Sequence, residues 1–135
     1  MDKLRFEIPG KPEYLTMVRL AISSVATCAN FDIDSIEDIK TAVTEACKQI
    51  SCHGFSGFST KYELDLSVEE RRIEIEVRDE CDEHTLEKLE KPCQQCPQDG
   101  DLSLMVIKSL VDEVEVTRND KNGRKSIRMV KTAQE

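Results

Sequence analysis

Apolar and polar residues alternate along much of this chain, and where they do not, the spacing turns helical. Leu4, Phe6 and Ile8 alternate with polar neighbours and Pro9-Gly10 ends the run, so residues 3–9 read as a first strand. Pro12 suits the first turn of a helix, with Leu15, Val18, Ile22, Val25 and Ala29 as its apolar stripe. Asp32 or Asp34 suits the cap of a second helix, and Glu37, three residues after Asp34, completes a capping-box pattern. The buried face of that helix is Ile36, Ile39, Val43, Ala46 and Ile50, and Gly54 and Gly57 mark its stop and the loop beyond.

Tyr62, Leu64, Leu66 and Val68 alternate, then Ile73, Ile75 and Val77, and the link Glu69-Glu70-Arg71 is short enough for a hairpin. Residues 80–101 are polar, with a single helical turn at Leu86 and Leu89. A loop of roughly 20 residues in a compact domain tends to be a lid or a binding loop. Leu102, Met105, Val106, Leu110 and Val111 predict a third helix. Val114 and Val116 open a strand, Asn119 to Gly123 turns, and Ser126 to Val130 forms the last strand. The order β-α-α-β-β-α-β-β, without repeats, predicts one domain over residues 1–135. Its class is α+β: a two-layer α/β sandwich with one mixed or antiparallel sheet and helices on one face.

Composition narrows the function. A 135-residue chain can bury a core without metals or disulfides, and 39% hydrophobic with 34% charged residues suits a soluble protein. No apolar run approaches the ~18–20 residues of a membrane span, and Met1-Asp2-Lys3-Leu4 lacks an apolar signal segment. The expectation is a cytoplasmic protein without a membrane partner. A net charge of −8 argues against nucleic acid, whose phosphates call for clustered Lys and Arg. The six cysteines do not read as a disulfide framework, and Cys28 and Cys47 are expected to be small buried hydrophobes.

Chemistry concentrates in two places. Glu45, Gln49 and His53 recur every four residues and form one polar stripe on the second helix. Asp79 continues the row Ile73, Ile75, Val77, which puts a carboxylate in the register expected to face the core. Such a stripe and such a carboxylate can wall two sides of one pocket. Each residue also has a plainer role: Glu45 on a solvated helix face, Asp79 capping a strand-end turn, His53 beside the last helical carbonyls. Arg19 serves equally as an exposed helix arginine or as a contact for an acidic partner or a phosphate.

Taken in order, Glu13-Tyr14…Arg19-Leu20, Ala42-Val43-Thr44-Glu45-Ala46-Cys47…His53, Asp79-Glu80 and Leu110-Val111-Asp112-Glu113-Val114 resemble the anti-sigma factor serine/threonine kinases. These belong to the histidine-kinase-like ATPase superfamily with the Bergerat fold. The resemblance covers about residues 5 to 130. It implies that Glu45 is the general base toward a substrate serine, that Gln49 stands at the Mg²⁺-ligating position, and that Asp79 accepts a hydrogen bond from the adenine amino group. It places the ATP lid at residues 82–99 and the phosphate-contacting turn at Gly100-Asp101-Leu102-Ser103. The implied cofactors are ATP and Mg. The implied partners are a sigma factor and an anti-anti-sigma antagonist protein, bound by a homodimer.

The departures from the family pattern carry their own expectation. Gln49 replaces an asparagine and moves the amide oxygen by roughly 1.5 Å, whereas Mg²⁺ wants near-octahedral oxygens at ~2.0–2.1 Å. Cys81 replaces a glycine where backbone should run close to the base. Asp101 and Ser103 replace two glycines of a turn that offers bare N–H groups to an anion. At about 5 Å from a phosphate charge, an aspartate costs ~0.8 kcal/mol in water and ~3 kcal/mol at an effective dielectric of 20. Together the four changes imply a weakened or abandoned ATP site. The expected function is therefore an anti-sigma-factor-like regulator with weakened or lost kinase activity; the alternative is an active serine kinase.

The loop holds a second pattern, Cys81-x₂-His84-x₈-Cys93-x₂-Cys96. Two close pairs of thiolate and imidazole ligands can close a tetrahedral Zn²⁺ site, which would make the chain a metal- or thiol-responsive module. The other readings are a Cys93–Cys96 redox pair and plain exposed thiols, and the plain reading leads.

Overall fold

The computed structural model describes residues 1–9, 12–50, 61–80, 102–118 and 125–133, with side chains described for 1–9, 13–48, 61–78, 104–117 and 126–133. In chain order the elements are β1 (Asp2–Pro9), α1 (Pro12–Cys28), α2 (Ile33–Ile50), β2 (Lys61–Glu69), β3 (Arg72–Glu80), α3 (Leu102–Leu110), β4 (Glu113–Arg118) and β5 (Lys125–Thr132). The order predicted from the sequence is the order observed. The strands form one sheet, β1-β2-β3-β5-β4, and all four pairings are antiparallel. The sheet is therefore antiparallel rather than mixed, because each described neighbour is reached by a reversal of the chain.

Strict alternation divides the sheet. Ile8, Tyr62, Leu64, Leu66, Ile73, Ile75, Val77, Ile127 and Met129 are buried on the helix side. On the other face, Arg5, Glu63, Asp65, Glu74, Arg78 and Arg128 form an ion-pair lattice. Glu63 is the buried member, accepting hydrogen bonds from Arg5 at 3.0 Å and Arg78 at 3.4 Å. Such pairing is the condition under which a carboxylate tolerates burial. α2 lies against β3 and β5, α3 against β4, and both α1 and α3 against α2. Leu15, Val18, Ile22 and Ala26 of α1 and Ile36, Ile39, Ala42, Val43 and Ala46 of α2 complete the core.

Helix ends follow local chemistry. Phe31 N–H donates to Ala26 O at 3.1 Å and Asn30 N–H to Thr27 O at 3.1 Å, with Asn30 at φ 66°. This is a left-handed C-terminal cap with asparagine in the usual glycine position and Phe31 buried beyond it. Asp32 is the N-cap of α2: its Oδ1 accepts Ser35 N–H at 2.7 Å and its carbonyl accepts Ile36 N–H at 2.9 Å. That bond holds the Asp32 carboxyl below its ordinary range. Asp34 lies inside the first turn, and Glu37 pairs with Lys40 at 2.9 Å instead of closing a capping box.

One expectation about burial is corrected, and the third helix stands where the sequence predicts it. Cys47 is buried and its thiol is pushed up to about 12 by that burial, but Cys28 is exposed. Cys28 sits in the last turn of α1, on the flank turned away from the core. In α3 the core takes Leu104, Ile107 and Val111, leaving Met105 and Val106 exposed. The run Leu104-Met105-Val106-Ile107 is apolar all round, so periodicity could not select its buried side.

Candidate functional site

Chain direction decides which residues can meet. Lys131 Nζ lies 4.0 Å from Asp38 Oδ2, near the start of α2, and Lys131 pairs with Ile73 at the start of β3. Next, Ile39, Ala42 and Val43 share a small apolar hollow with Ile73, Ile75 and Met129. α2 and β3 therefore run the same way, and both end at the same end of the sandwich. α3 runs the opposite way: Leu110 O, at its C-terminus, accepts a hydrogen bond from Lys131 Nζ at 2.9 Å. Its N-terminus must then lie at the end where α2 and β3 finish. The helix segment carrying Glu45 and Gln49, the strand end carrying Asp79, and the helix start carrying Ser103 converge on one end.

Within that end, Glu45 is half-buried between exposed Thr41 and Lys48 and buried Ala46 and Cys47. Thr44, beside it, turns its hydroxyl back to Lys40 O at 2.9 Å, which removes it as a free donor. Asp79 is the Cα partner of Tyr62, a fully buried inward residue, and follows buried Ile73, Ile75 and Val77 in the same row. The strand register expected for Asp79 is the one observed. Gln49 lies in the last turn of α2 and Ser103 in the first turn of α3, as the sequence places them. His53, Cys81, His84, Cys93, Cys96, Gly100 and Asp101 fall outside the described residues, as do the predicted lid at 82–99 and the four zinc-ligand candidates. Among the described residues, no group of three or more His, Cys, Asp or Glu is placed to hold a metal ion.

One feature escaped the sequence reading. At the far end, where β3 begins, a polar cleft of about 360 Å³ lies among Asn30, Asp32, Asp38, Arg71 and Lys131. Arg71, at φ 64°, anchors it: its N–H donates to Ala29 O and its carbonyl accepts Ala133 N–H, both at 2.7 Å. The signals were Asn30 after a helix and a lysine in the inward row of β5, but neither has a periodicity to flag it.

Comparison with known proteins fits this architecture. Residues 8–131 match the family described as histidine kinase-like ATPase domain. Serine-protein kinase RsbW of Bacillus thuringiensis (strain Al Hakam) is 30% identical over 128 residues, covering 88% of this chain and 79% of the relative. RsbW of Bacillus anthracis (strain CDC 684 / NRRL 3495) shows the same identity and coverage. The chain thus belongs to the histidine kinase-like ATPase family and, within it, stands with the RsbW serine-protein kinases.

Solved structures agree on the fold. The RsbU and RsbW domains of a Mycobacterium tuberculosis protein superpose with a TM-score of 0.67 at 13% identity, over 98% of this chain. This chain spans about a third of that one, 32% of its length. A chain of the SiaB–SiaC complex from Pseudomonas aeruginosa superposes with a TM-score of 0.62 at 10% identity, covering 95% of this chain and 88% of that one.

Proposed function

We propose that this protein is an anti-sigma-factor-like regulator of transcription that binds a sigma factor and an anti-anti-sigma antagonist, with weakened or lost ATP-dependent serine kinase activity. The observation that carries the reading is the convergence of the Glu45 segment, the Asp79 strand end and the start of α3 on one end of the sandwich. Of the four departures, Gln49 lies in the last turn of α2 and Ser103 in the first turn of α3, at that end. Kinship with serine-protein kinases supports the class, and the substitutions support the reduced activity.

The donors present fit a nucleotide in part. Asp79 stands in an inward register suited to accept from an adenine amino group, and Glu45 is half-buried, as a base toward a hydroxyl should be. Gln49 offers a hard amide oxygen suited to Mg²⁺, from a side chain one methylene longer than the family's. When bound, Mg–ATP would supply the transferable phosphoryl group. Glu45 would hold the proton of the substrate hydroxyl, and Asp79 would orient the base. The reading also takes residues 1–135 as one domain, cytoplasmic and homodimeric. No helix among the described residues is long and apolar enough to cross a membrane.

A second reading, an active serine kinase, is favoured by the 30% identity to RsbW kinases. Thermal unfolding with and without Mg–ATP separates the two. A competent site gains RT ln(1 + [L]/Kd), about 2.7 kcal/mol at a hundredfold excess over Kd. The regulator reading expects little or no shift at millimolar Mg–ATP, and a shift of that size together with phosphorylation of an antagonist protein would overturn it.

A further inference from the structure

The sheet ends on one side at β4, six residues long, with one side of its backbone unpaired among the described strands. An open edge is a template for another strand, and natural proteins blunt it with prolines, inward-pointing charges or charged outer rows. β4 carries no proline, and its inward row is Val114 and Val116, without a charge. Both are half-buried against the core, whereas their β5 partners Met129 and Ile127 are buried. The apolar layer therefore reaches the sheet margin with no polar residue to close it. α3, the helix packed against β4, leaves Met105 and Val106 exposed.

What guards this edge is charge, and the charge has one sign. Glu113 and Glu115 alternate with the valines and stand exposed on the outer face. Arg128, opposite Glu115 on β5, feels the charge of both, but its hydrogen bond goes to Glu74 on β3. Arg128 Nη1 lies 3.8 Å from Glu115 Oε2, and Glu113 makes no ion pair among the described residues. One guanidinium shared among three carboxylates leaves the outer face of this margin net negative. A strand bearing carboxylates is repelled there, and a strand bearing Lys or Arg is attracted.

We propose that β4 docks an extended segment of a partner protein in which Lys or Arg alternates with apolar residues. The segment adds a strand beyond β4, and its main chain completes the open row of hydrogen bonds. Its apolar residues cover Val114 and Val116 on the helix side, and its cations stand opposite Glu113 and Glu115 on the outer side. A second copy of this chain fits less well. Antiparallel pairing of β4 with itself sets Glu113 against Glu115 when centred on Val114, and Glu115 against itself when centred there. Nucleic acid does not fit, because the acidic outer row repels phosphates.

Six residues of strand span about 20 Å, so the contact is small and belongs with weak, transient encounters. Main-chain pairing gives it strength, and the two faces of the segment give it selectivity. Docking on β4 requires no nucleotide, so it holds for a regulator and for an active kinase alike.

The probe is a dansyl-labelled peptide of alternating Lys and Val, matched to the six residues of β4 and titrated with the full chain by fluorescence anisotropy. Saturable binding is expected with Kd below about 1 mM, weakening as salt is added. Amide exchange should slow at Val114 and Val116 when the peptide binds. A peptide with its lysines and valines in two separate blocks, and one with Glu in place of Lys, should each bind about tenfold more weakly or worse. Glu113→Gln combined with Glu115→Gln, both at exposed positions, should weaken binding about three- to tenfold and leave thermal unfolding cooperative. Absence of saturable binding, equal binding of the blocked peptide, or indifference to the double substitution overturns the proposal. A change in the sedimentation of the chain alone on that substitution assigns the edge to a second copy and overturns it too. None of these outcomes bears on Mg–ATP binding, so the regulator reading stands or falls separately.

Discussion

At the end of the sandwich where β3 begins, main chain is tied to main chain across distant elements. Arg71 joins α1 to β5, Asp112 N–H reaches Val130 O at 2.9 Å, and Thr132 N–H reaches Asp112 Oδ2 at 2.6 Å. At the opposite end, the segments carrying Glu45, Asp79 and the start of α3 come together, and the departures Gln49 and Ser103 lie on those helix ends. The contrast suggests a division of labour. One end secures the fold, so the other can change its chemistry with little effect on stability.

The largest effect should come from the packed body between the ends. Ile39, 1% exposed, fills the hollow against Ile73 and Ile75. Ile39→Ala is expected to lower the free energy of unfolding by about 2–5 kcal/mol in urea titrations. Any residual affinity for nucleotide in the folded fraction should not change. Asp79→Asn should do the reverse: stability within about 0.5 kcal/mol of wild type and nucleotide affinity, where measurable by calorimetry, about ten- to a hundredfold lower. Equal losses of stability from both variants would abolish the distinction.

The smallest effect concerns acid. Asp32 has its carboxyl depressed in the folded state by Ser35. Its contribution is therefore present above the ordinary value of 3.8 and is lost as pH falls through the lower folded value. In melts between about pH 5 and 2, Asp32→Asn, which keeps a capping side chain without a titrating group, should flatten the acid limb of the stability curve. An unchanged acid limb would remove Asp32 from the bonds that tie that end.

The fold was legible wherever periodicity was unambiguous. The inward rows of β2 and β3 and the stripe Ile36-Ile39-Val43-Ala46 stand in the structure as the sequence places them. Legibility failed where pattern carried no contrast. In α3 the apolar run Leu104-Met105-Val106-Ile107 covers every side of one turn, so its buried side depends on the elements against which it packs. Asp32 and Asp34 are both plausible caps, and the choice rests on which carbonyl accepts the first helical bond. For the site, spacing placed Glu45 on a helix face and Asp79 in an inward row. Their convergence is a consequence of α2 and β3 running the same way, and no local motif encodes that.

The strand order also constrains how the chain is made. β3 lies at the centre of the sheet, yet one of its two neighbours, β5, follows it by more than forty residues. While the chain emerges from the ribosome, β3 has β2 on one side and an open edge on the other until the residues of β5 have left the exit tunnel. Arg71 likewise holds its left-handed turn without the Ala133 bond until then. The nascent chain thus carries a sticky central strand from the emergence of β3 until β5 follows, and a nuclease that stops translation before β5 would leave an aggregation-prone fragment rather than a smaller folded one.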